Sequence, residues 1–144
     1  MTEQNLARVN VKDLPISTKW AIEISNFIRH KNLSQAKKQL EKVLEYKLAI
    51  PLRRFNFDRG HRKGNMGPGF YPQKSTKYIL SLLNSAEANA EYKGLNKESL
   101  YIKEIIPNKG STSWRTGRHG RRQAKRTNLN LVIEERKKWL KDNS

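Results

Sequence analysis

Apolar residues at helical spacing predict two helices in the first third of the chain. The first stripe consists of Trp20, Ile24, Phe27 and Ile28. It predicts a helix that is capped by Ser17 or Thr18 and ends near His30. The second stripe consists of Ala36, Leu40, Val43 and Leu44. It predicts a helix that begins at Ser34 and ends near Tyr46.

A third stripe predicts the longest helix. Its residues are Ile79, Leu83, Ala86 and Ala90, flanked by Leu80 and Leu82. Pro72 suits the first turn of this helix, and Gly94 suits the left-handed residue that ends it. The first turn holds Lys74, Ser75, Thr76 and Lys77, and no acid follows before Glu87. Because free amide groups at a helix start attract anions, we interpret this start as a phosphate seat.

The first two helices are joined by a turn short enough for a helix-turn-helix motif. They can equally form a plain scaffold. The second helix carries lysines at positions 37, 38 and 42, but also Glu41 and Glu45. A mixed charged face is typical of a solvated surface rather than of a helix in a major groove. We therefore favour the scaffold.

Two later segments alternate between apolar and polar residues as strands do. The first arm, Leu100 to Ile106, alternates imperfectly, whereas the second arm, Thr127 to Ile133, alternates regularly. One face of the paired arms can therefore lie on a core. Residues 1–15 read as an extended lead-in with a short strand over 7–11. Residues 136–144 form a charged tail, in which Trp139 and Leu140 either dock as a helical turn or are disordered.

The segment between the two arms, residues 107–126, is basic and almost free of apolar residues. No acid occurs between Glu104 and Glu134 to neutralise it. It is longer than an ordinary hairpin loop. The segment is therefore either disordered or a ribbon that is ordered by a partner, and ten further residues per arm would reach about 33 Å. A polyanion is the expected partner.

The composition favours a nucleic-acid-binding protein of one domain. The 144 residues include 30 Lys and Arg against 13 Asp and Glu, which gives a net charge of +17. The absence of cysteine excludes disulfides and thiolate metal sites. We find neither a signal peptide nor an apolar run long enough for a membrane span, and we expect a soluble intracellular protein. Basic residues in glycine-rich loops argue against a membrane-surface helix.

A long basic loop, residues 51–71, is a second candidate RNA contact. Its cations are Arg53, Arg54, Arg59, Arg62 and Lys63, against the single acid Asp58. Its rings are Phe55, Phe57, Phe70 and Tyr71. Such residues suit RNA, since phosphates bind the cations and exposed bases stack on the rings. Alternatively, the rings hold the loop on the core, and we expect this of at least two of the four. The four glycines of the loop disfavour regular structure.

Catalysis and metal binding find little support. His61 and His119 lie in basic segments and could in principle cleave RNA, but no carboxylate is placed to orient His119. No pair of residues has the spacing of zinc ligands. The glycine-rich run of residues 64–69 lacks the lysine and hydroxyl of a nucleotide-binding loop. We predict neither an enzyme nor a cofactor.

Several motifs resemble one family over nearly the whole chain, from about Leu14 to Glu135. They are Leu14–Lys19, Gly60–Gly64, Gly69–Lys74, Leu83–Leu95, His119–Arg121 and the following Lys125–Thr127. Together they resemble the large-subunit ribosomal protein twenty-two family in its archaeal and eukaryotic form, called L-seventeen in eukaryotes.

The resemblance implies an α+β fold, in which three helices pack on a small antiparallel sheet and a long β-hairpin protrudes. It divides the chain into a globular part, residues 14–100, and the hairpin, residues 100–135. It also implies a structural protein of the cytoplasmic ribosome. Such a protein binds large-subunit ribosomal RNA, contacts neighbouring ribosomal proteins and lines the exit tunnel of the nascent polypeptide. An architectural DNA-binding protein is the alternative.

The residues and the resemblance together give a set of expected sites. The expected RNA-binding residues are Lys19, Arg53, Arg54, Arg59, His61, Arg62, Lys63, Lys74, Ser75, Lys77, Lys109, Arg115, Arg118, His119, Arg121, Arg122, Lys125 and Arg126. The expected tip at the tunnel wall consists of Trp114, Arg115, Thr116, Gly117, Arg118, His119 and Gly120. The function that we expect is structural, with support of subunit assembly.

Overall fold

The computed structural model describes residues 5–118 and 120–136. In chain order, the elements are β1 (Leu6–Leu14), α1 (Thr18–Ile28), α2 (Leu33–Leu44), β2 (Ile50–Pro51), β3 (Gly69–Phe70), α3 (Gln73–Tyr92), a 3-10 turn (Lys97–Ser99), β4 (Leu100–Lys109) and β5 (Thr127–Glu135). This order confirms the predicted α+β class, with its three helices. The predictions for His119 and for Trp139 and Leu140 of the tail lie outside the described residues.

The main sheet is antiparallel and has the strand order β1-β5-β4. The second predicted arm is therefore the central strand, paired with β4 on one side and with β1 on the other. The short strand expected over residues 7–11 is confirmed and runs from Leu6 to Leu14. Leu129, Leu131 and Ile133 are fully buried, as their regular alternation predicts.

A β-bulge explains the imperfect alternation of the first arm. Ile102 is opposite Ile133, but Glu104 is opposite Val132, so that Lys103 is an extra residue in β4. One extra residue exchanges the two faces of a strand for the positions that follow. Ile105 is therefore buried on the same core as Leu100 and Ile102, although its spacing from Ile102 is odd.

The helices cover one face of the sheet and form the core with it. All three apolar stripes supply fully buried residues, among them Ile24, Leu40 and Ile79. α1 packs against β4, and α2 packs against α3, as the scaffold interpretation requires. α3 begins after Pro72 and ends before Gly94, whose φ of +74° is the expected left-handed stop. Within the described residues, no helix has the length and apolar character needed to cross a bilayer.

Both outer edges of the three-stranded sheet are hydrogen-bonded to neighbouring elements. On the β4 edge, the N–H of Ile102 donates to the Lys31 carbonyl at 2.9 Å, and the N–H of His30 donates to the Ile102 carbonyl at 3.1 Å. On the β1 edge, Lys93 Nζ donates to the Leu6 carbonyl at 2.9 Å. Asn89 Nδ2 donates to the Arg8 carbonyl at 3.5 Å.

Candidate nucleic-acid interface

A buried carboxylate fixes the beginning of the basic loop. Glu23 lies on the buried face of α1 and is only 1% exposed. Its Oε1 accepts the backbone N–H of Arg54 at 2.8 Å and that of Phe55 at 2.7 Å, and its Oε2 accepts the N–H of Arg53 at 3.2 Å. Three amides thus satisfy one buried charge. The arginine side chains, both exposed, remain available to a partner.

The middle of the loop is held by stacking of a cation on two rings. Trp20 and Phe70 stack with centroids 4.7 Å apart and planes 23° apart. The Arg59 guanidinium lies 5.0 Å from the Trp20 centroid and 4.8 Å from the Phe70 centroid. Stacking uses the face of a guanidinium and leaves its N–H groups, which point outward in its plane, for other acceptors. Arg59 is therefore both fixed and able to bind phosphate.

Two further rings of the loop are covered by basic residues in the same way. Arg54 lies 5.4 Å and Lys19 5.6 Å from the centroid of Phe55, and Arg62 lies 5.6 Å from that of Tyr71. Three of the four rings, all except Phe57, are half-buried, which confirms the expectation that at least two would hold the loop on the body. The exposed Lys63 and His61 belong to the same loop.

The loop is more regular than its glycines predict. Its ends pair as β2 and β3, with Ile50 opposite Phe70 and Pro51 opposite Gly69. His61 and Pro68 form a further bridge. The prediction of an irregular loop was therefore wrong at its ends. The two-residue strands are too short to show a period in the sequence.

The start of α3 keeps most, but not all, of the predicted phosphate seat. Lys74 and Lys77 are exposed, whereas Ser75 is 3% exposed. The Thr76 hydroxyl donates to the Pro72 carbonyl at 3.0 Å. The seat therefore has one hydroxyl, that of Ser75, rather than the expected two. Within the described residues, no backbone carbonyl accepts from the N–H groups of Lys74 and Ser75.

The connection between β4 and β5 pairs with itself. The N–H of Gly110 donates to the Arg126 carbonyl at 2.9 Å, and further on the N–H of Arg115 donates to the Arg122 carbonyl at 2.8 Å. Trp114 and Gln123 form a bridge between these two points. This pairing agrees with the ribbon alternative rather than with disorder, because backbone pairing continues well beyond the apolar arms. That a partner supplies the order of the ribbon stays a prediction.

The base of this hairpin is tied to the start of α1 by a buried hydroxyl. Thr127, which is fully buried, donates its hydroxyl hydrogen to the Ile16 carbonyl at 3.0 Å. The Thr18 hydroxyl lies 2.9 Å from the Thr127 hydroxyl oxygen and is therefore its donor. Beside it, Arg126 Nη1 donates to the Asp13 carbonyl at 3.2 Å. The hairpin thus has a fixed direction relative to α1.

A cleft of about 840 Å³ opens between the hairpin and the two helix starts. α1 and the residues before it contribute Pro15, Ile16, Ser17 and Trp20; α3 contributes Lys74 and Ser75; the hairpin contributes Ser113, Arg115, Arg122, Gln123, Ala124, Lys125 and Arg126. Five of these residues are cations, and none is an acid. The fold therefore brings the predicted phosphate seat and the predicted hairpin cations to one site.

The remaining predicted residues lie elsewhere. Outside the cleft lining are Lys19, Arg53, Arg54, Arg59, His61, Arg62, Lys63, Lys77 and Lys109. At the far end of the hairpin, Arg118, Gly120 and Arg121 surround a second concavity together with Arg122. Trp114, Thr116 and Gly117 are exposed nearby in sequence, and Trp114 is 64% exposed.

The acids of the chain do not neutralise the predicted interface. In residues 5–118 and 120–136, the cations of the ion pairs are Lys37, Lys47, Lys97, Lys103 and Arg136. None of them belongs to the expected RNA-binding set. The cations of that set which the structure describes therefore keep their charge for a partner.

Sequence reasoning missed Glu23 and Thr127. For Glu23, a signal was available, because an acid three residues after Trp20 and four before Phe27 lies on the apolar face of α1. A charge on such a face requires a buried partner. Thr127 gave no such signal, since a threonine at the start of a strand is unremarkable.

Comparison with known proteins places these features in a family. The sequence model of the family described as ribosomal protein L22p/L17e matches residues 9–132. The large ribosomal subunit protein uL22 of Nanoarchaeum equitans is 40% identical over 145 residues, which cover 94% of this chain and 82% of that protein. The protein of the same name from Archaeoglobus fulgidus is 41% identical, over 93% of this chain and 91% of that protein. The protein of the same name from Thermoplasma volcanium is 39% identical, over 92% of this chain and 93% of that protein.

These matches confirm the resemblance that the motifs indicated, and these three relatives are archaeal. They also confirm the prediction of a non-enzymatic protein, because the family is a structural one. The chain belongs to the ribosomal protein L22p/L17e family.

Proposed function

We propose that this chain is a constituent of the large ribosomal subunit, where it binds large-subunit ribosomal RNA, supports assembly and lines the nascent-polypeptide exit tunnel with its hairpin. Its partners are this RNA, neighbouring ribosomal proteins and the nascent polypeptide, in the cytoplasmic ribosome. The observation that carries RNA binding is the cleft between the hairpin and the helix starts. Five cations line it without a carboxylate, in a chain with a net charge of +17.

The cleft suits a phosphodiester backbone more than a small anion. Lys74 and Ser75 lie on one wall, and Arg115, Arg122 and Lys125 belong to the other. A strand of RNA that runs through the cleft can place successive phosphates against the cations of both walls. A single phosphate ion would use only some of these cations. An arginine guanidinium can bind one phosphate through two parallel N–H···O hydrogen bonds. Contacts of this kind position a protein and read little sequence.

The basic loop provides a second, pre-formed surface. The amides of residues 53–55 are bound by Glu23, and Arg59 is stacked on Trp20 and Phe70. The loop therefore loses little conformational freedom when it binds, which lowers the cost of association. The exposed Arg53 and Lys63 extend the charged surface along the loop.

Competition for the chain between two nucleic acids tests the proposal. Labelled large-subunit ribosomal RNA is bound to the chain and challenged with unlabelled RNA or with duplex DNA of equal nucleotide concentration. We expect RNA to compete far better, because a constituent of the large subunit binds folded ribosomal RNA. Equal competition by DNA would favour the architectural DNA-binding alternative.

The salt dependence of the same binding tests its electrostatic origin. We expect the chain to make about six to ten phosphate contacts. On the scale of duplex DNA, that number means that affinity falls by roughly a thousandfold or more when the salt is raised from 50 to 200 mM. A flat salt dependence would contradict the proposed role of the cleft.

Removal of the end of the hairpin tests the tunnel role. Deletion of residues 113–122 leaves the paired arms and the anchoring Thr127 in place, so we expect the variant to melt cooperatively near the temperature of the parent chain. Large subunits that carry it should show altered nascent-chain crosslinks or an assembly defect. Normal crosslinks in normally assembled subunits would contradict the tunnel role. Loss of cooperative melting would contradict the prediction that the globular part, residues 14–100, folds without the tip.

A further inference from the structure

One aromatic ring of the basic loop stands apart from the other three. The other three rings are half-buried and contact the body: Phe55 through Lys19, Phe70 through Trp20 and Tyr71 through Tyr46. Phe57 is 87% exposed. An exposed phenyl ring contributes nothing to the core and leaves apolar surface in water. The ring is therefore a candidate contact for a partner.

The backbone that carries Phe57 is fixed on both sides. Before it, Glu23 accepts the N–H groups of residues 53–55. After it, Arg59 is stacked on Trp20 and Phe70. The N–H of Arg59 donates to the Asn56 carbonyl at 3.3 Å, which closes a tight turn around Phe57, and Asp58 has a φ of +54°. The turn thus presents the ring from a defined backbone rather than from a loose loop.

The surroundings of Phe57 in the chain are cationic. Within the loop, the exposed side chains of Arg53, Arg54 and Arg59 flank it in sequence, with the single acid Asp58. A ligand that matches this arrangement has a flat apolar surface with anions on either side of it. An unpaired nucleotide in RNA has this combination, since its base is planar and phosphates precede and follow it.

We propose that Phe57 stacks on an unpaired base of RNA, while Arg53, Arg54 and Arg59 bind the phosphates beside that base. The inference rests on the proposed RNA binding and identifies a base-stacking site within it. A pocket on a protein partner is the competing occupant. The charge favours RNA, because the three exposed arginines that flank Phe57 in sequence match a strongly anionic surface next to an apolar one.

Four variants of the full-length chain test the site with labelled large-subunit ribosomal RNA as the probe. Phe57→Ala removes the ring, Phe57→Leu keeps an apolar side chain without a planar face, and Phe57→Trp keeps a planar face. Tyr92→Ala is the matched control, since Tyr92 is 94% exposed on the last turn of α3. Thermal melting of each variant checks the fold, which exposed substitutions should leave unchanged.

We expect Phe57→Ala and Phe57→Leu to weaken RNA binding by roughly 5- to 150-fold, the range that alanine substitution gives for one stacked base. Phe57→Trp should bind as well as the parent chain, and Tyr92→Ala should have no effect. The slope of log affinity against log salt should stay the same in all four, because stacking releases no counterions.

Other results would overturn the inference. If Phe57→Ala binds as the parent chain does, the ring contacts no base, while the proposed RNA binding stands. Full affinity in Phe57→Leu would mean that any apolar side chain suffices. A variant that binds free RNA normally but fails to enter large subunits would place Phe57 against a protein. Failure of the parent chain to bind RNA would overturn this site together with the proposed RNA binding.

Discussion

The carboxylate of Glu23 accepts the backbone N–H of Phe55 at 2.7 Å, across 32 positions of the chain. With the two neighbouring amides it forms the anchor of the basic loop. A buried acid of α1 thus determines where a set of exposed cations lies, although it has no access to a partner itself.

Replacement of Glu23 by glutamine should weaken RNA binding despite raising the positive charge. The amide has one acceptor oxygen and one donor NH₂, so at least one of the three loop amides loses its partner. We expect a loss of about 1–3 kcal/mol in the free energy of unfolding. RNA affinity should fall with it, as measured by filter binding.

Glu41→Gln is the matched control, because it changes the net charge equally at an exposed position of α2. It should melt normally and bind RNA at least as well as the parent chain. Unchanged melting of Glu23→Gln would show that the three amides do not depend on the carboxylate.

Charge reversal in the cleft should weaken RNA binding more than charge reversal beside it. Lys74 and Lys77 are both exposed in the first turns of α3, but only Lys74 lines the cleft. We expect Lys74→Glu to lower affinity by tenfold or more, on the order of 1.4 kcal/mol, and to reduce the salt slope. Lys77→Glu should have the smaller effect in the same mobility-shift assay. Equal effects would mean that only the total charge matters. If neither variant changes affinity, the start of α3 is not a phosphate seat.

Thr127, at the base of the hairpin, should contribute more to the free energy of unfolding than Thr112, an exposed threonine further along the hairpin. Thr127→Val leaves the Ile16 carbonyl and the Thr18 hydroxyl without the partner that they have in the folded chain. We expect this to cost about 1–3 kcal/mol in denaturant unfolding. Thr112→Val, which removes an exposed hydroxyl bonded to Gln123, should cost much less. The anchor is refuted if the two variants unfold at the same denaturant concentration.

An ion-pair cluster between α2, α3 and the 3-10 turn should give the fold a dependence on acid pH. Burial disfavours the ionised Glu87 carboxylate, but hydrogen bonds from Lys37 and Lys97 outweigh it and hold the pKa of Glu87 below its ordinary value. A lowered folded pKa stabilises the fold above the unfolded pKa, about 4.3 for a glutamate. This stability is lost as the pH falls through the lower, folded pKa.

Glu87→Gln should therefore melt below the parent chain at neutral pH, by an amount worth about 1–2 kcal/mol. The difference between the two melting temperatures should shrink as the pH is lowered from 6 to 3. Glu98→Gln is the charge-matched control, because Glu98 is an exposed acid of the 3-10 turn that belongs to none of the ion pairs in the described residues, and it should melt close to the parent chain. A Glu87→Gln offset that is independent of pH would contradict the shifted pKa.

Periodic segments were predictable, and contacts between distant segments were not. The stripes of Ile24, Leu40 and Ile79 gave three helices whose ends differ from the predicted ones by about two residues, because a period of 3.6 is visible in the sequence alone. The regular alternation of Leu129 and Leu131 likewise identified the strand that became the centre of the sheet.

The missed features depend on backbone groups or on tertiary contacts. The pairing of Arg115 with Arg122 uses main-chain atoms in a segment whose polar side chains show no alternation. The cleft exists because the fold brings Lys74 and Lys125, which are 51 positions apart in the chain, to the lining of one opening, and no local pattern encodes such a separation. The charge of these residues was enough to predict that they form an interface. Which of them line the cleft and which belong to the basic loop surface could not be predicted from the sequence.

The covered edges of the main sheet have a consequence for the chain before it reaches a partner. An open strand edge offers unpaired N–H and C=O groups on which a second copy can add its own strand and begin to aggregate. Here the residues around Lys31 occupy the edge of β4, and the Lys93 and Asn89 side chains bind carbonyls along β1. These contacts occupy part of both edges, so fewer free backbone groups remain there for the strand of a second copy.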